Sequence, residues 1–208
     1  MSPRLSRVEQ NDRNRALLFA AARRVFLARG YHAATLEQIA DEAGFSKGVV
    51  YSRFASKADL FLALLEERIA ERAAQNAALA RDLAGSGDFA AVLDLGQRAE
   101  RAAPGWRLLV TEFRIHAARD PELNRRYAAV HARTVNGLAA VLALVSERGG
   151  EHLPFPPRPL AELLLAVEAG IALEQQADPD ALGGPDLPVI RWLTGWFASA
   201  PVLTPEER

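Results

Sequence analysis

Apolar positions recur at three-and-four spacing along most of this chain, and glycines, prolines and hydroxyl residues interrupt them, which predicts helices joined by short turns and no strand. Leu17, Ala21, Val25 and Ala28, widened by Leu18 and Phe26, predict a helix over 14–29 that ends at Gly30. Leu36, Ile39, Ala40 and Ala43 form the apolar face of a second helix. Thr35 is placed to cap it, its hydroxyl accepting from the Gln38 amide while the Gln38 side chain returns the reciprocal bond. Gly44 should stop that helix by entering the left-handed conformation without a Cβ clash. Ser46 then opens a short helix over 47–54. Val50 and Phe54 can pack inward there, while Lys47, Gly48, Val49, Tyr51 and Arg53 stay outward or lateral. So short a helix is unstable alone. Its scaffold is the first helix and a long one over 56–83 striped by Leu60, Phe61, Leu64, Leu65 and Ile69. Two short helices meeting at Gly44 outline a DNA-reading helix-turn-helix.

The remainder reads as further helices over 89–101, 106–118, 120–148, 159–176 and 187–199. Asp120 is a good cap, and Pro121 is tolerated in a first turn. Pro154, Pro156 and Pro157 predict a stiff loop over 149–159, and a second loop, DPDALGGPDLP, precedes the last helix. The first dozen residues and the tail after Pro201 are expected to fray. The expectation is an all-α protein: an N-terminal arm and three-helix helix-turn-helix DNA-binding domain over 1–56, then a helical domain over 57–208.

The residues from Leu17 to Leu65 resemble the tetracycline-repressor (TetR) family of bacterial transcription regulators. The resemblance rests on Ala20, Ala21 and Phe26, the Gly30-Tyr31 pair, Thr35, Ile39-Ala40, Ala43-Gly44, Ser46-Lys47-Gly48, Tyr51, Phe54, and Ser56-Lys57 followed by Leu60. Their joint order and spacing make it specific. It departs at Val49, where the family often has Thr or Ser, and at Ser52 and Arg53, where a second aromatic or His is common. Losing the hydroxyl removes one bond to phosphate or base, although valine methyls can touch a thymine methyl.

The resemblance implies a ligand-responsive regulator, usually a repressor, that binds a pseudo-palindromic operator as a homodimer and is released by a small-molecule inducer. It also implies ligand binding and dimerisation for the helical domain over 57–208. Lys47 and Arg53 are long donors for guanine edges or phosphates, Gly48 lets the backbone approach closely, and Val49 offers apolar base contact. Tyr51 and Lys57 match positions from which family members hold phosphates, and Thr35 and Ser46 can add hydroxyl or amide contacts. Each has a plainer role: Thr35 and Ser46 as caps, Tyr51 as a core ring with an exposed hydroxyl, Lys57 as a solvated charge. Arg4, Arg7 and Arg13 read as solvated charge on a flexible arm that can also reach phosphates.

For the inducer, Trp106, Leu109, Phe113 and Tyr127 are candidate cavity walls, with Glu112, His116, His131 or Asn136 as polar anchors. These residues equally suit ordinary core and surface positions. Glu112 and His116, four apart on one face, are also compatible with a metal site that lacks a recognised third ligand. For dimerisation, the family's last two helices pair with their mates in a four-helix interface. Here they carry Leu160, Leu163, Leu164, Val167 and Ile171, then Val189, Ile190, Leu193, Trp196 and Phe197. Ala166, Ala169 and Gly170 permit close approach, and the first of these helices is apolar around most of its circumference, which calls for a second partner.

Charge sharpens this picture. The net charge of −1 alone argues against nucleic acid, but residues 1–60 hold ten lysines and arginines against six acids, a balance of +4, leaving −5 on the rest. A basic head on an acidic body suits DNA approach. With 208 residues the chain can bury a sizeable core. No segment is expected to approach an uncharged membrane span and no signal-peptide core opens the chain, so a soluble cytoplasmic protein without a membrane partner is expected. The absence of cysteine excludes disulfides, thiolate chemistry and thiol redox sensing. No Gly-rich phosphate loop, HExxH or GxSxG is present, so neither an enzyme nor a cofactor is expected. Two other readings remain: a helical small-molecule-binding dimer whose DNA head is non-functional or dependent on a co-ligand, and a helical hydrolase built from Glu112, His116 and His131.

Overall fold

A computed structural model describes residues 6–83, 104–149, 153 and 155–183. Seven α-helices and one 3-10 turn lie in these residues: α1 (Arg7–Ala33), α2 (Leu36–Ala43), α3 (Lys47–Tyr51), α4 (Lys57–Leu83), α5 (Trp106–Ala117), α6 (Pro121–Gly149), α7 (Pro157–Ala177) and the turn Ala181–Gly183. The protein is all-α, and no strand occurs among the described residues. The helices expected over 89–101 and 187–199 lie outside them.

The boundaries differ from expectation where local bonds extend or shorten a helix. α1 starts at Arg7, so its first turns are ordered where fraying was expected. Ser6 accepts from the Glu9 amide while Glu9 accepts from Ser6, and Gln10 bonds Asn14 one turn on. α3 stops at Tyr51, because Ser52 caps it through its backbone amide and its hydroxyl donates to Val49 O at 3.0 Å. α7 starts at Pro157, whose missing N–H is no loss at the first helical position.

The packing divides into two units. The first comprises the described residues up to Arg68 together with Glu112–Tyr127. It therefore takes in the start of α4 and parts of α5 and α6, beyond the head drawn at residue 56. Its core is apolar and aromatic: Leu18, Phe19, Val25 and Phe26 of α1, Leu36 and Ile39 of α2, Val50 of α3, Leu60 and Phe61 of α4, and Phe113 of α5 are all buried. Phe61 stacks on Phe113 at 4.4 Å between centroids. Tyr31 meets Phe113 edge-on at 4.9 Å, and Phe26 meets Phe61 edge-on at 5.2 Å. Burying such rings contributes about 1.5–3 kcal/mol each, and offset or edge-to-face contacts add roughly 0.5–1.5 kcal/mol.

Polar groups fasten the kink at Gly30 near the end of α1. Gly30 has φ 74° and ψ 168°, a region open essentially to glycine alone. The Tyr31 amide it exposes donates to Glu112 Oε2 at 2.7 Å. Lys57 Nζ donates to the carbonyls of Tyr31, His32 and Ala34 at 2.6, 3.0 and 2.8 Å, and lies 4.5 Å from the Tyr31 ring centroid. One ammonium thus satisfies three carbonyls that the end of a helix leaves without partners.

Burial, helped by the Asp59 charge, pushes the Tyr31 phenol up from 10 to about 12. A group whose folded pKa is raised contributes stability that is complete below pH 10 and lost as pH rises towards 12. Burial pulls Lys57 down, which acts in the opposite sense. Denaturant unfolding from pH 8 to 11.5 should therefore show an alkaline loss of stability that flattens in Tyr31→Phe. An unchanged slope in that variant would remove Tyr31 as its source.

The second unit comprises the described residues of 69–111 and 128–208. Its core joins Val135, Val141, Leu142 and Val145 of α6 to Leu160 and Ala161 of α7, with Leu138, Leu144, Leu153, Leu164 and Leu165 packed around them. Arg107 and Glu168 pair at 3.4 Å, both largely buried. One expectation is corrected here: α6 is long and apolar enough over Pro121–Glu147 to cross a membrane. Its six alanines between residues 128 and 143 raise its apolar character. It also supplies Leu123 and Tyr127 to the first core and Val135 to Val145 to the second, as a packed helix does.

Candidate nucleic-acid interface

α2 and α3 form the predicted helix-turn-helix. Thr35 Oγ1 accepts from the Gln38 amide at 3.2 Å while Gln38 Oε1 accepts from Thr35 N at 3.1 Å. Gly44 closes α2 at φ 71°, its amide donating to Ala40 and Asp41 carbonyls. Val50, fully buried, keys α3 onto the core, while Lys47, Gly48, Val49, Tyr51 and Arg53 are exposed together with Ser46. Ser46 stands at the cap position of α3, but its hydroxyl makes no capping bond. A Cβ on Gly48 would meet only Ser46 Oγ, at 4.0 Å. The protomer itself therefore has room for a side chain there.

Two of the exposed donors, Tyr51 and Arg53, already have acceptors. Tyr51 is 48% exposed, which disposes of a core ring, and its hydroxyl donates to Glu37 Oε1 at 2.5 Å. That bond is the main reason the Glu37 carboxyl is held below its usual range and the Tyr51 phenol above its own. Arg53 Nη2 donates to Asn11 Oδ1 at 2.7 Å, tying α3 to the first turns of α1. Arg15 lies over the Phe19 ring at 4.7 Å.

Lys57 differs from expectation. It is not a merely solvated charge, because its three donors are committed to the α1–α2 connection. Glu37 and Asn11 escaped sequence reasoning. Glu37 and Tyr51 are 14 positions apart and Asn11 and Arg53 are 42 apart, separations that leave no local signal.

The ligand candidates do not fall into one unit. Glu112, Phe113, His116 and Tyr127 belong to the first, where Glu112 holds the Tyr31 amide and Phe113 and Tyr127 are core rings 5.8 Å apart. His116 packs on Tyr31 at 5.1 Å and His32 at 5.4 Å. Burial foremost, then the neighbouring His32 and Lys57 charges, hold its imidazole below the usual range. Trp106, Leu109, His131 and Asn136 belong to the second unit. Trp106 and Leu109 are buried, whereas Asn136 is exposed and accepts from Arg158 Nη1 at 2.7 Å. No cluster of three metal-ligating side chains occurs among the described residues, so the Glu112–His116 pair gains no third ligand there.

Of the dimerisation candidates, Leu160 and Ile171 are buried and Leu164 packs on the second core. Leu163 and Val167 are 44% and 37% exposed, on a face that also carries exposed Ala166, Gly170 and Leu173. Val189, Ile190, Leu193, Trp196 and Phe197 lie outside the described residues.

Residues 18–64 match the pattern of bacterial regulatory proteins of the tetR family. The chain is 50% identical over 58 residues to the HTH-type transcriptional activator FasR of Mycolicibacterium smegmatis, covering 28% of this chain and 26% of that protein. It is 38% identical over 77 residues to the HTH-type transcriptional repressor AcnR of Corynebacterium diphtheriae, covering 36% and 40%. It thus spans well under half the length of these curated relatives. Among solved structures, the fatty acid degradation regulator FadR of Bacillus halodurans superposes with a TM-score of 0.70 at 19% identity, over 88% of this chain and 95% of that one. The transcriptional regulator FadR of Bacillus subtilis, in complex with stearoyl-CoA, superposes with 0.69 at 16% identity, over 88% and 97%. These likenesses carry the fold beyond the head.

Proposed function

We propose that this chain, a member of the tetR family of bacterial regulatory proteins through its helix-turn-helix, is a ligand-responsive transcriptional regulator that binds a pseudo-palindromic operator as a homodimer. The observation that carries the reading is the exposed row on α3: Lys47, Gly48, Val49 and Tyr51 face outward on a helix fixed from behind by buried Val50. A rigid backing with long donors and an open glycine in front suits groove entry. Lys47 and Arg53 are assigned to base edges or phosphates, Val49 to apolar base contact, and Tyr51, Ser46 and Thr35 to phosphates. The protein acts in the cytoplasm, where its DNA is, and performs no catalysis.

The homodimer is supported by α7, whose exposed Leu163, Val167 and Leu173 alternate with Ala166 and Gly170. Two heads are needed because one short helix reads only a few base pairs, whereas a two-fold dimer engages half-sites about 34–36 Å apart or a multiple of that. The inducer binds the second unit, among helices that include Trp106 and Leu109. The solved relative with stearoyl-CoA supports a small-molecule role for such a body. Release requires the inducer to favour a state that DNA does not, and the shift is limited by that difference in affinity. Repression is the expected outcome. FasR and AcnR, named as an activator and a repressor, show that head similarity is compatible with either.

The test is selection of the purified protein against random double-stranded DNA near physiological salt, beside a Lys47→Ala, Tyr51→Ala variant. Both side chains are exposed, so the variant should fold, which a Lys57 substitution would not guarantee. Enrichment of a two-fold palindrome by the parent alone is expected. A folded parent that enriches nothing would overturn the regulator reading in favour of a small-molecule-binding dimer.

A further inference from the structure

Tyr51, assigned to a DNA phosphate, is bonded to a carboxylate that the sequence pattern does not single out. Glu37, in the first turn of α2, accepts from the Tyr51 hydroxyl at 2.5 Å. The Thr35 hydroxyl and the Lys47 charge also act on it, each favouring its ionised form. These residues come from the cap of α2, the start of α3 and the end of α3. A phenol hydroxyl donating to an anionic oxygen is the kind of contact a backbone phosphate recruits.

We propose that the Glu37 carboxylate is an internal stand-in for a DNA phosphate, holding the Tyr51 hydroxyl until a phosphate displaces it. This rests on the DNA-binding reading above. Tyr51 makes one short hydrogen bond, and its single proton cannot serve two anions. Phosphate contact at Tyr51 therefore requires Glu37 to give up its bond and to face the incoming negative charge. The carboxylate subtracts from the sequence-independent part of binding, which phosphate contacts dominate. Loose attachment to arbitrary DNA is weakened. A stable complex then depends more on base contacts and on engagement of both heads.

A rival role for an exposed acid at a DNA face is to accept from a cytosine amine in the major groove. The two roles predict opposite effects of removing the charge. A base reader loses affinity and relaxes specificity at one position. An internal competitor gains affinity on any sequence.

The experiment uses the full chain and a fluorescent duplex pool of random sequence, so no operator need be known. Binding is followed by anisotropy for the parent, Glu37→Gln, Glu37→Ala, Tyr51→Phe and the Glu37→Gln, Tyr51→Phe pair, with folding checked by circular dichroism. Glu37→Gln should tighten binding roughly two- to fivefold, the scale of one exposed ion contact, and Glu37→Ala should do at least as well. In the Tyr51→Phe background the gain should shrink towards one. Unchanged or weakened binding by both Glu37 variants, or a gain that persists fully without the Tyr51 hydroxyl, overturns the proposal. A folded parent with no affinity for the pool even at low salt overturns the DNA-binding reading, and this proposal with it.

Discussion

Gly170→Arg is expected to give a folded monomer that has lost its hold on a palindromic operator. Gly170 lies on the exposed face of α7, and a Cβ built there meets nothing within 4 Å, so the protomer itself accommodates a larger side chain. The neighbouring Leu163 and Val167 are exposed apolar groups of that face. In the proposed dimer a guanidinium at their centre would be buried against its own symmetry mate, and desolvating two like charges opposes association strongly. Separating the heads removes the effective concentration that makes the second half-site contact intramolecular, an effect of about 10²–10⁴ in apparent affinity. Circular dichroism should be unchanged while light scattering halves the mass and binding to a two-half-site duplex collapses. A dimeric mass for the variant would move the interface away from this face.

The second large effect is on stability. Gly30→Ala should destabilise the first unit by about 3 kcal/mol, combining an unfavourable backbone region with a displaced polar partner. At φ 74° and ψ 168° an alanine is strained wherever it sits, and here its Cβ would also stand 2.9 Å from Glu112 Oε2. Moving that carboxylate breaks its bond to the Tyr31 amide, leaving a part-buried donor without its acceptor. Urea midpoints should fall sharply for Gly30→Ala. The double variant Gly30→Ala, Glu112→Ala should lose less than the two single changes together, because the clash is absent once the carboxylate is gone. Simple additivity would show that the alanine never met Glu112.

The same two residues mark how far the sequence could be read. Gly30 was legible as a helix end, since a glycine closing an apolar stripe is a local signal. The carboxylate that lies against it, 81 positions beyond Tyr31, was not. Glu112 read as a ligand anchor or half of a metal pair because its helix spacing to His116 was the only relation visible along the chain. Lys57 is parallel: matched to a phosphate position by resemblance, it closes the end of α1 through carbonyls 23 to 26 residues earlier. The ordered start of α1 was within reach, since Ser6 and Glu9 have capping-box spacing.

What the sequence by itself determined were the features whose physics is local: the helical period, the Thr35–Gln38 capping box, the left-handed stop at Gly44, and the outward row on α3. Each depends on backbone geometry within a few residues, and the pattern of side chains records it directly. Only the tertiary structure decided where charged groups spend their hydrogen bonds. Tyr51 turns to Glu37, Arg53 to Asn11, Lys57 to the end of α1 and Glu112 to the Tyr31 amide, because each hydrogen bond forms with a partner the fold brings near and chain distance does not limit that choice.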